Sequence, residues 1–120
     1  MERIQFIEVD GVRILRQDFS HLDAATLIPL LTESAKIVRS QPEDSILAVT
    51  LVHDIRLSRE ANAALKEYVS ENRPYVKAGA VCGIGWLMPV MFMFNSLTGR
   101  QIRAFDTEEE AIDWLLTRAD

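Results

Sequence analysis

Apolar and polar residues alternate twice near the start of the chain, in RIQFIEV (residues 3–9) and VRILRQDF (residues 12–19). Asp10 and Gly11 separate the two stretches. A two-residue turn of this kind needs positive φ at both central residues, which Asp and Gly tolerate. The pattern therefore predicts an opening antiparallel hairpin.

Helical and strand-like patterns alternate after the hairpin. Residues 23–39 keep one face apolar and predict a first helix, although Pro29 obscures its start and suggests that it begins near Ile28. Residues 45–52 (SILAVTLV) are apolar on both faces, as in a central strand that helices cover on both sides. The further predicted elements are a helix capped by Ser58 that ends near Glu71, a strand over residues 77–84, a short helix over residues 89–97, a strand over residues 101–105, and a helix begun by the capping box of Thr107 and Glu110.

This order, ββαβαβαβα, predicts an α/β fold, because helices that alternate with strands form crossover connections between parallel strands. We expect one domain over residues 1–120, with a mixed, mostly parallel five-stranded sheet and about four helices. A chain of 120 residues that is 48% hydrophobic is large enough to bury a single core.

Residues 78–97 form the most unusual segment, because none of these twenty residues is charged in a chain that is 26% charged. A buried strand and a half-buried helix explain only part of it, and a contiguous exposed apolar patch usually marks an interface. Unusually apolar packing within the monomer is the alternative. We expect the segment to contact a hydrophobic small molecule, a lipid or a membrane surface, or to form a homodimer interface, through the following side chains: Trp86, Leu87, Met88, Met91, Phe92 and Met93.

Charge and cysteine content exclude several classes of protein. The net charge of -5 and the scattered basic residues argue against a nucleic-acid partner. The one cysteine, Cys82, lies in apolar surroundings and predicts a core position and a reducing, cytoplasmic location, with peripheral membrane contact as a further option. The charged, alternating N-terminal residues do not resemble a secretory signal.

Few residues suggest catalysis, a metal or a cofactor, and we expect none of the three. His53 and Asp54 follow the predicted central strand, where open α/β sheets bind ligands, and His21 precedes Asp23. Neither pair has the spacing of a helical metal site, and Asp23 suits a helix cap. The run of residues 83–85, Gly-Ile-Gly, lacks the rest of a dinucleotide-binding motif and more simply allows a tight turn.

Two stretches, residues 46–69 and residues 97–115, resemble the SpoIIAA-like group in their order of elements and in their capping and packing residues. This family of small bacterial domains is related to the STAS domains of anti-sigma-factor antagonists and to lipid-binding CRAL-TRIO domains. The resemblance implies a non-enzymatic module that binds hydrophobic ligands or associates with membranes.

STAS regulators also carry a phosphorylatable serine where this chain has Ser58. Here Arg56 and Arg59 replace the acidic residue and the glycine of that motif. Ser58 is therefore interpreted as a helix cap. A phosphorylated regulatory contact that Arg56 and Arg59 stabilise is the alternative.

Overall fold

The computed structural model describes residues 3–54, 58–83 and 102–119. Within these residues the elements are β1 (Ile4–Val9), β2 (Val12–Asp18), α1 (Ala24–Arg39), β3 (Ile46–Leu51), α2 (Arg59–Asn72), a short 3-10 helix (Arg73–Tyr75), β4 (Val76–Cys82), β5 (Ile102–Phe105) and α3 (Glu108–Leu116). The strands form one mixed sheet in the order β1-β2-β3-β4-β5, in which only β1 and β2 pair antiparallel. The predicted α/β class and five-stranded, mostly parallel sheet are confirmed.

The opening hairpin has the predicted turn. Val9 pairs with Val12, and the two residues between them, Asp10 and Gly11, have φ angles of 51° and 77°. Both angles lie in the left-handed region that a two-residue primed turn requires. The Asp-Gly pair thus fixes the register of β1 against β2.

The start of α1 differs from the expectation near Ile28. The helix begins at Ala24, and Pro29 lies inside it. Asp23 decides the start, because its side-chain oxygen Oδ1 accepts a hydrogen bond from the Thr26 N–H at 3.0 Å. The cap thus starts the helix before Pro29. The proline lies in the second turn, where it provides no backbone N–H.

Three α-helices lie in the described residues, rather than about four. The short helix predicted over residues 89–97 lies outside the described part of the chain. Among residues 3–54, 58–83 and 102–119, no helix combines the length and the apolar character needed to cross a bilayer.

The sheet separates two hydrophobic clusters. One cluster packs between the sheet and the pair α1 and α2, and the other packs between the sheet and α3. Along β3, successive side chains alternate between the clusters: Ala48 belongs to the first and Val49 to the second, and both are buried. This explains why β3 is apolar on both faces.

α3 is joined to the sheet by a hydrophobic contact and by an ion pair. Ala111 and Leu115 are fully buried against the sheet. Arg16 of β2 donates to both carboxylate oxygens of Glu108, with Nε 2.8 Å from Oε2 and Nη2 3.1 Å from Oε1. The predicted cap is also present, because Thr107 Oγ1 accepts the Glu110 N–H at 3.2 Å.

A small group of polar side chains is buried on the opposite face, between the sheet and the helix pair. Gln17 of β2 and Ser34 of α1 are 3% and 0% exposed, and the hydroxyl of Tyr68 on α2 reaches both. Tyr68 Oη lies 2.7 Å from Ser34 Oγ and 2.9 Å from Gln17 Oε1, and the Ser34 hydroxyl also donates to Gln17 Oε1. Gln17 Nε2 donates to Thr50 Oγ1 at 3.2 Å. We call Gln17, Ser34, Thr50 and Tyr68 the polar cluster.

Asn72 lies one helical turn beyond Tyr68 and is 2% exposed. Neither its side-chain oxygen nor its side-chain nitrogen has a hydrogen-bond partner among the described residues. A buried amide that is left unpaired costs about 1–3 kcal/mol of folding free energy. Asn72 nevertheless adjoins the polar cluster. Burial, the largest effect, raises the pKa of the Tyr68 hydroxyl, and Asn72 lowers this pKa as a hydrogen-bonding neighbour.

The attachment of α3 predicts a large effect of Leu115→Ala, because this side chain is fully buried and its removal leaves a cavity. We expect the free energy of unfolding to fall by about 2–5 kcal/mol, measured by urea denaturation. Leu116→Ala is the matched control, because the neighbouring leucine is only half-buried. Equal losses in the two variants would contradict the described docking of α3.

Candidate binding site at the carboxyl ends of the strands

The carboxyl ends of β2, β3, β4 and β5 lie along the same edge of the sheet, because these strands run parallel. We call this the carboxyl edge, and in its described part it comprises residues 18–23, residues 52–54, Gly83 and residues 105–107. Ligands of open α/β sheets bind outside such an edge. A ligand site in a sheet of this kind is therefore expected at the carboxyl edge.

The pairing of β2 with β3 continues beyond the strands themselves. The Phe19 N–H donates to the Leu51 carbonyl at 2.8 Å, and the His21 N–H donates to the His53 carbonyl at 2.8 Å. The register that pairs Asp18 with Leu51 thus continues outward. It places His21 opposite Asp54.

His21 and Asp54 form a pair on the surface of the edge. Their φ angles are 60° and 52°, in the left-handed region that His and Asp adopt more readily than most residues. His21 Nδ1 lies 3.4 Å from Asp54 Oδ2, and the two side chains are 67% and 82% exposed. Because water screens such an exposed pair, it contributes little to stability and lacks the desolvation that tunes catalytic acid-base pairs.

The loop that carries His21 is held by hydrogen bonds on both sides. Ser20 is 5% exposed, and its hydroxyl oxygen accepts the His53 N–H at 3.0 Å. The Ser20 N–H donates to Asp18 Oδ1 at 3.0 Å. Arg3 Nη1 donates to the carbonyl oxygens of Asp18 and Ser20, each at 3.0 Å.

These contacts also set the ionisation of Asp18. Partial burial alone would raise the pKa of its carboxyl group, but the hydrogen bonds from Ser20 and the charges of Arg3 and Arg16 outweigh burial. The pKa therefore lies below the usual 3.8. The carboxylate form of Asp18 stabilises the loop.

His53 packs against the backbone of Gly83, which follows β4. Gly83 has φ +90°, and a Cβ atom placed there would lie 2.4 Å from His53 Nδ1. Only glycine both adopts this angle readily and leaves room for the ring. Gly83 thus has a backbone angle that suits the expected tight turn, while Ile84 and Gly85 lie outside the described residues.

The histidines combine differently from the sequence-based pairs. His21 contacts Asp54, whereas Asp23 caps α1. In the described part of the chain, no three side chains of His, Cys, Asp or Glu are placed to share a metal ion. Cys82 is fully buried, as expected, and burial, followed by the charges of Glu108 and Glu110, raises the pKa of its thiol to about 11.

Ser58 is the N-cap of α2, as predicted. Its hydroxyl oxygen accepts the Ala61 N–H at 3.0 Å, and both Ser58 and Arg59 are exposed. Arg56 lies outside the described residues. So do all six residues expected to contact a hydrophobic partner: Trp86, Leu87, Met88, Met91, Phe92 and Met93.

Sequence reasoning missed Ser20 and the polar cluster. A signal was present, because Gln17 occupies an inward position of the alternating strand between Leu15 and Phe19. Ser34 likewise lies in the apolar stripe of α1 between Leu31 and Val38. A polar residue at a core position predicts a buried hydrogen bond, although the sequence does not identify its partner.

The contact between His53 and Gly83 predicts that Gly83→Ala destabilises the protein more than Gly11→Ala does. Both glycines have positive φ, at a cost of roughly 1–2 kcal/mol for alanine, but a Cβ at Gly11 meets no atom within 4 Å. Urea denaturation measures both losses of unfolding free energy. In a His53→Ala background, the extra loss at Gly83 should disappear, and an unchanged extra loss would contradict the contact.

Asp18 predicts a pH dependence with a defined sign. A carboxyl group whose pKa is lower in the folded than in the unfolded protein contributes stability above the unfolded pKa, and this is lost as the pH falls through the folded pKa. We expect the urea midpoint to drop as the pH is lowered from 5 through 3.8 and below, and Asp18→Asn to reduce that drop. Identical pH profiles for the two proteins would contradict the assignment.

No family model, curated protein or solved structure matches this chain.

Proposed function

We propose that this chain is a non-enzymatic binding module that contacts a hydrophobic ligand or a membrane surface through the apolar segment formed by residues 86–97. The observation that carries the proposal is that the described core contains only the first part of the uncharged run of residues 78–97. β4 accounts for the run up to Cys82, and Ala78, Ala80 and Cys82 are fully buried. The large apolar side chains of the run follow Cys82 in the sequence.

The described residues already place helices on both faces of the sheet. α1 and α2 cover one hydrophobic cluster and α3 covers the other. The segment adds two aromatic and three methionine side chains among its candidate contacts. Each large apolar side chain left in water forgoes about 1.5–3 kcal/mol, so a partner that covers them is favoured.

The position of the segment in the chain supports binding at the carboxyl edge. It follows Gly83, which lies at that edge, and Met and Phe side chains suit apolar partners of varied shape. The polar pair at the edge, His21 and Asp54, is exposed rather than desolvated. This favours binding over acid-base catalysis.

A homodimer through the same segment is the second candidate, with Ser58 as a regulatory site. Ser58 is exposed at the N-terminus of α2, where a phosphate group is stabilised by the helix dipole and by free backbone N–H groups. The neighbouring Arg59 is also exposed and adds positive charge. This second candidate follows from the resemblance of the sequence to STAS regulators.

The proposal predicts that the purified protein sediments with vesicles of phosphatidylcholine and phosphatidylglycerol, or retains a lipid that native mass spectrometry detects. The double variant Phe92→Ser, Met93→Ser should lose the vesicle binding and the retained lipid, because it removes apolar contact area. Ala63→Ser is the control, because Ala63 is exposed on α2 and outside the segment.

The outcomes separate the two candidates. Wild-type protein that carries no lipid and does not sediment with vesicles contradicts the binding proposal, as does unchanged binding by the double variant. Light scattering on the same samples measures subunit number. A wild-type dimer that the double variant converts to a monomer supports the second candidate, and a wild-type monomer excludes it.

A further inference from the structure

β1 has the composition of an inner strand, although it lies at an edge of the sheet. Its apolar side chains alternate between the two hydrophobic clusters: Ile4 and Phe6 pack in the cluster under α1 and α2, and Ile7 and Val9 pack against the cluster under α3. A strand that is apolar on both faces is typical of the interior of a sheet. In the described part of the chain, however, β1 has β2 as its one neighbour, and Phe6, Ile7 and Val9 are only half-buried.

The turn of the hairpin determines which backbone groups of β1 point outward. Val9 and Val12 flank the two-residue turn, so they form a hydrogen-bonded pair, and such pairs recur at every second residue of an antiparallel ladder. The hydrogen bond from the Asp18 N–H to the Arg3 carbonyl, at 2.7 Å, fits this alternation. The residues between the bonded pairs therefore direct their N–H and C=O groups away from β2, and these residues are Ile4, Phe6 and Glu8.

β1 also lacks the features that usually keep an edge strand from pairing, namely a short length, a proline, a basic side chain or a bulge. It is six residues long, contains neither proline nor a basic residue, and pairs with β2 in an unbroken register. β5, at the other side of the described sheet, is four residues long and carries an exposed arginine, Arg103. Of these two strands, β1 is therefore the one suited to pairing with another chain.

The sequence of β1 is complementary to itself in the antiparallel direction. When Phe6 lies opposite Phe6 of a second copy, Ile4 lies opposite Glu8, and every outward-facing residue meets an outward-facing partner. This register keeps the two Glu8 carboxylates apart, and Glu8 is the one charged residue of the strand. Glu8 of the second copy then lies diagonally next to Phe6, at roughly 7–8 Å between backbones.

Arg13 of β2 supplies the opposite charge at the centre of this pair. Its guanidinium carbon lies 3.7 Å from the centroid of the Phe6 ring, and its side chain is exposed. The second copy therefore brings a carboxylate towards a ring that already carries a cation. Opposite charges across an interface favour one register over the others.

We propose that the outer edge of β1 pairs antiparallel with β1 of a second copy of this chain, about a two-fold axis beside Phe6, so that two five-stranded sheets form one continuous sheet. Because both copies use the same strand, the assembly closes as a dimer. A single pair of strands buries less surface than a standard interface, so we expect a dissociation constant in the micromolar range. This dimer is separate from residues 86–97 and does not depend on the function proposed above.

The first test is sedimentation equilibrium from micromolar to millimolar concentration, with the wild-type protein and two variants of Glu8. Glu8→Pro removes an outward N–H that β2 does not use, and should weaken the dimer by about tenfold or more, because two symmetry-related hydrogen bonds are lost. Glu8→Thr is the matched control, since threonine keeps the N–H and favours a strand. It should dimerise nearly as well as the wild type. Urea denaturation verifies that both variants are folded.

The second test checks the register without a proline. Phe6→Lys and Phe6→Glu each place like charges opposite one another in the proposed pair, so either variant alone should be monomeric. An equimolar mixture places lysine opposite glutamate and should form a heterodimer in the same sedimentation experiment. The double variant Phe92→Ser, Met93→Ser should keep the wild-type dissociation constant, because that segment is not part of the pair.

Three results would overturn the inference. One is a wild-type protein that stays monomeric over the whole concentration range, which would leave this edge to a strand of a different protein. The second is an unchanged dimer in a folded Glu8→Pro variant, and if the double variant Phe92→Ser, Met93→Ser loses that dimer, it forms through residues 86–97 instead. The third is a mixture of folded Phe6→Lys and Phe6→Glu proteins that does not associate.

Discussion

The parallel pairing of β3 with both of its neighbours is the constraint on which the rest of the structure depends. Because β3 lies at the centre of the sheet and is apolar on both faces, it requires cover on both sides. α1 and α2 supply that cover on one face and α3 on the other. The same pairing brings the ends of β2, β3 and β4 to one edge, where His21, His53 and Gly83 meet although they are far apart in sequence.

Polar side chains join the helices to the sheet on both of its faces. On the α3 face, Arg16 and Glu108 form a bidentate ion pair, in which each of two N–H donors meets one carboxylate oxygen. This pair helps to attach α3, a helix of only nine residues, to the sheet. On the other face, Gln17 of β2 bonds to Ser34 of α1, to Tyr68 of α2 and to Thr50 of β3, so the polar cluster joins both helices to the sheet. A buried network whose members bond to one another favours a single arrangement of the elements that carry them.

Local signals predicted most of the fold. Asp10-Gly11 fixed the hairpin, and the caps Ser58 and Thr107 located the starts of two of the three described helices, because each signal acts within a few residues. Because of Pro29, the predicted start of α1 was wrong. The free-energy cost of a proline inside a helix is outweighed here by the cap at Asp23 together with the buried apolar face of the helix.

The candidate sites were less predictable, because their contacts join distant parts of the chain. The sequence paired His21 with its neighbour Asp23, whereas strand register paired it with Asp54. Gln17, Ser34 and Tyr68 come from three different elements, and nothing local indicates that they meet. The pairing register of the strands determines which distant residues meet, and the periodicity of the sequence does not determine that register.

Arg3 gives the carboxyl edge an unexpected dependence on the beginning of the chain. Its guanidinium group binds the carbonyls of Asp18 and Ser20, fifteen and seventeen residues away. Trimming the chain past this arginine, or fusing a bulky tag directly in front of it, would disturb a loop at the far end of β2. Affinity handles intended to leave this surface intact are therefore better attached through a flexible spacer or at the opposite terminus.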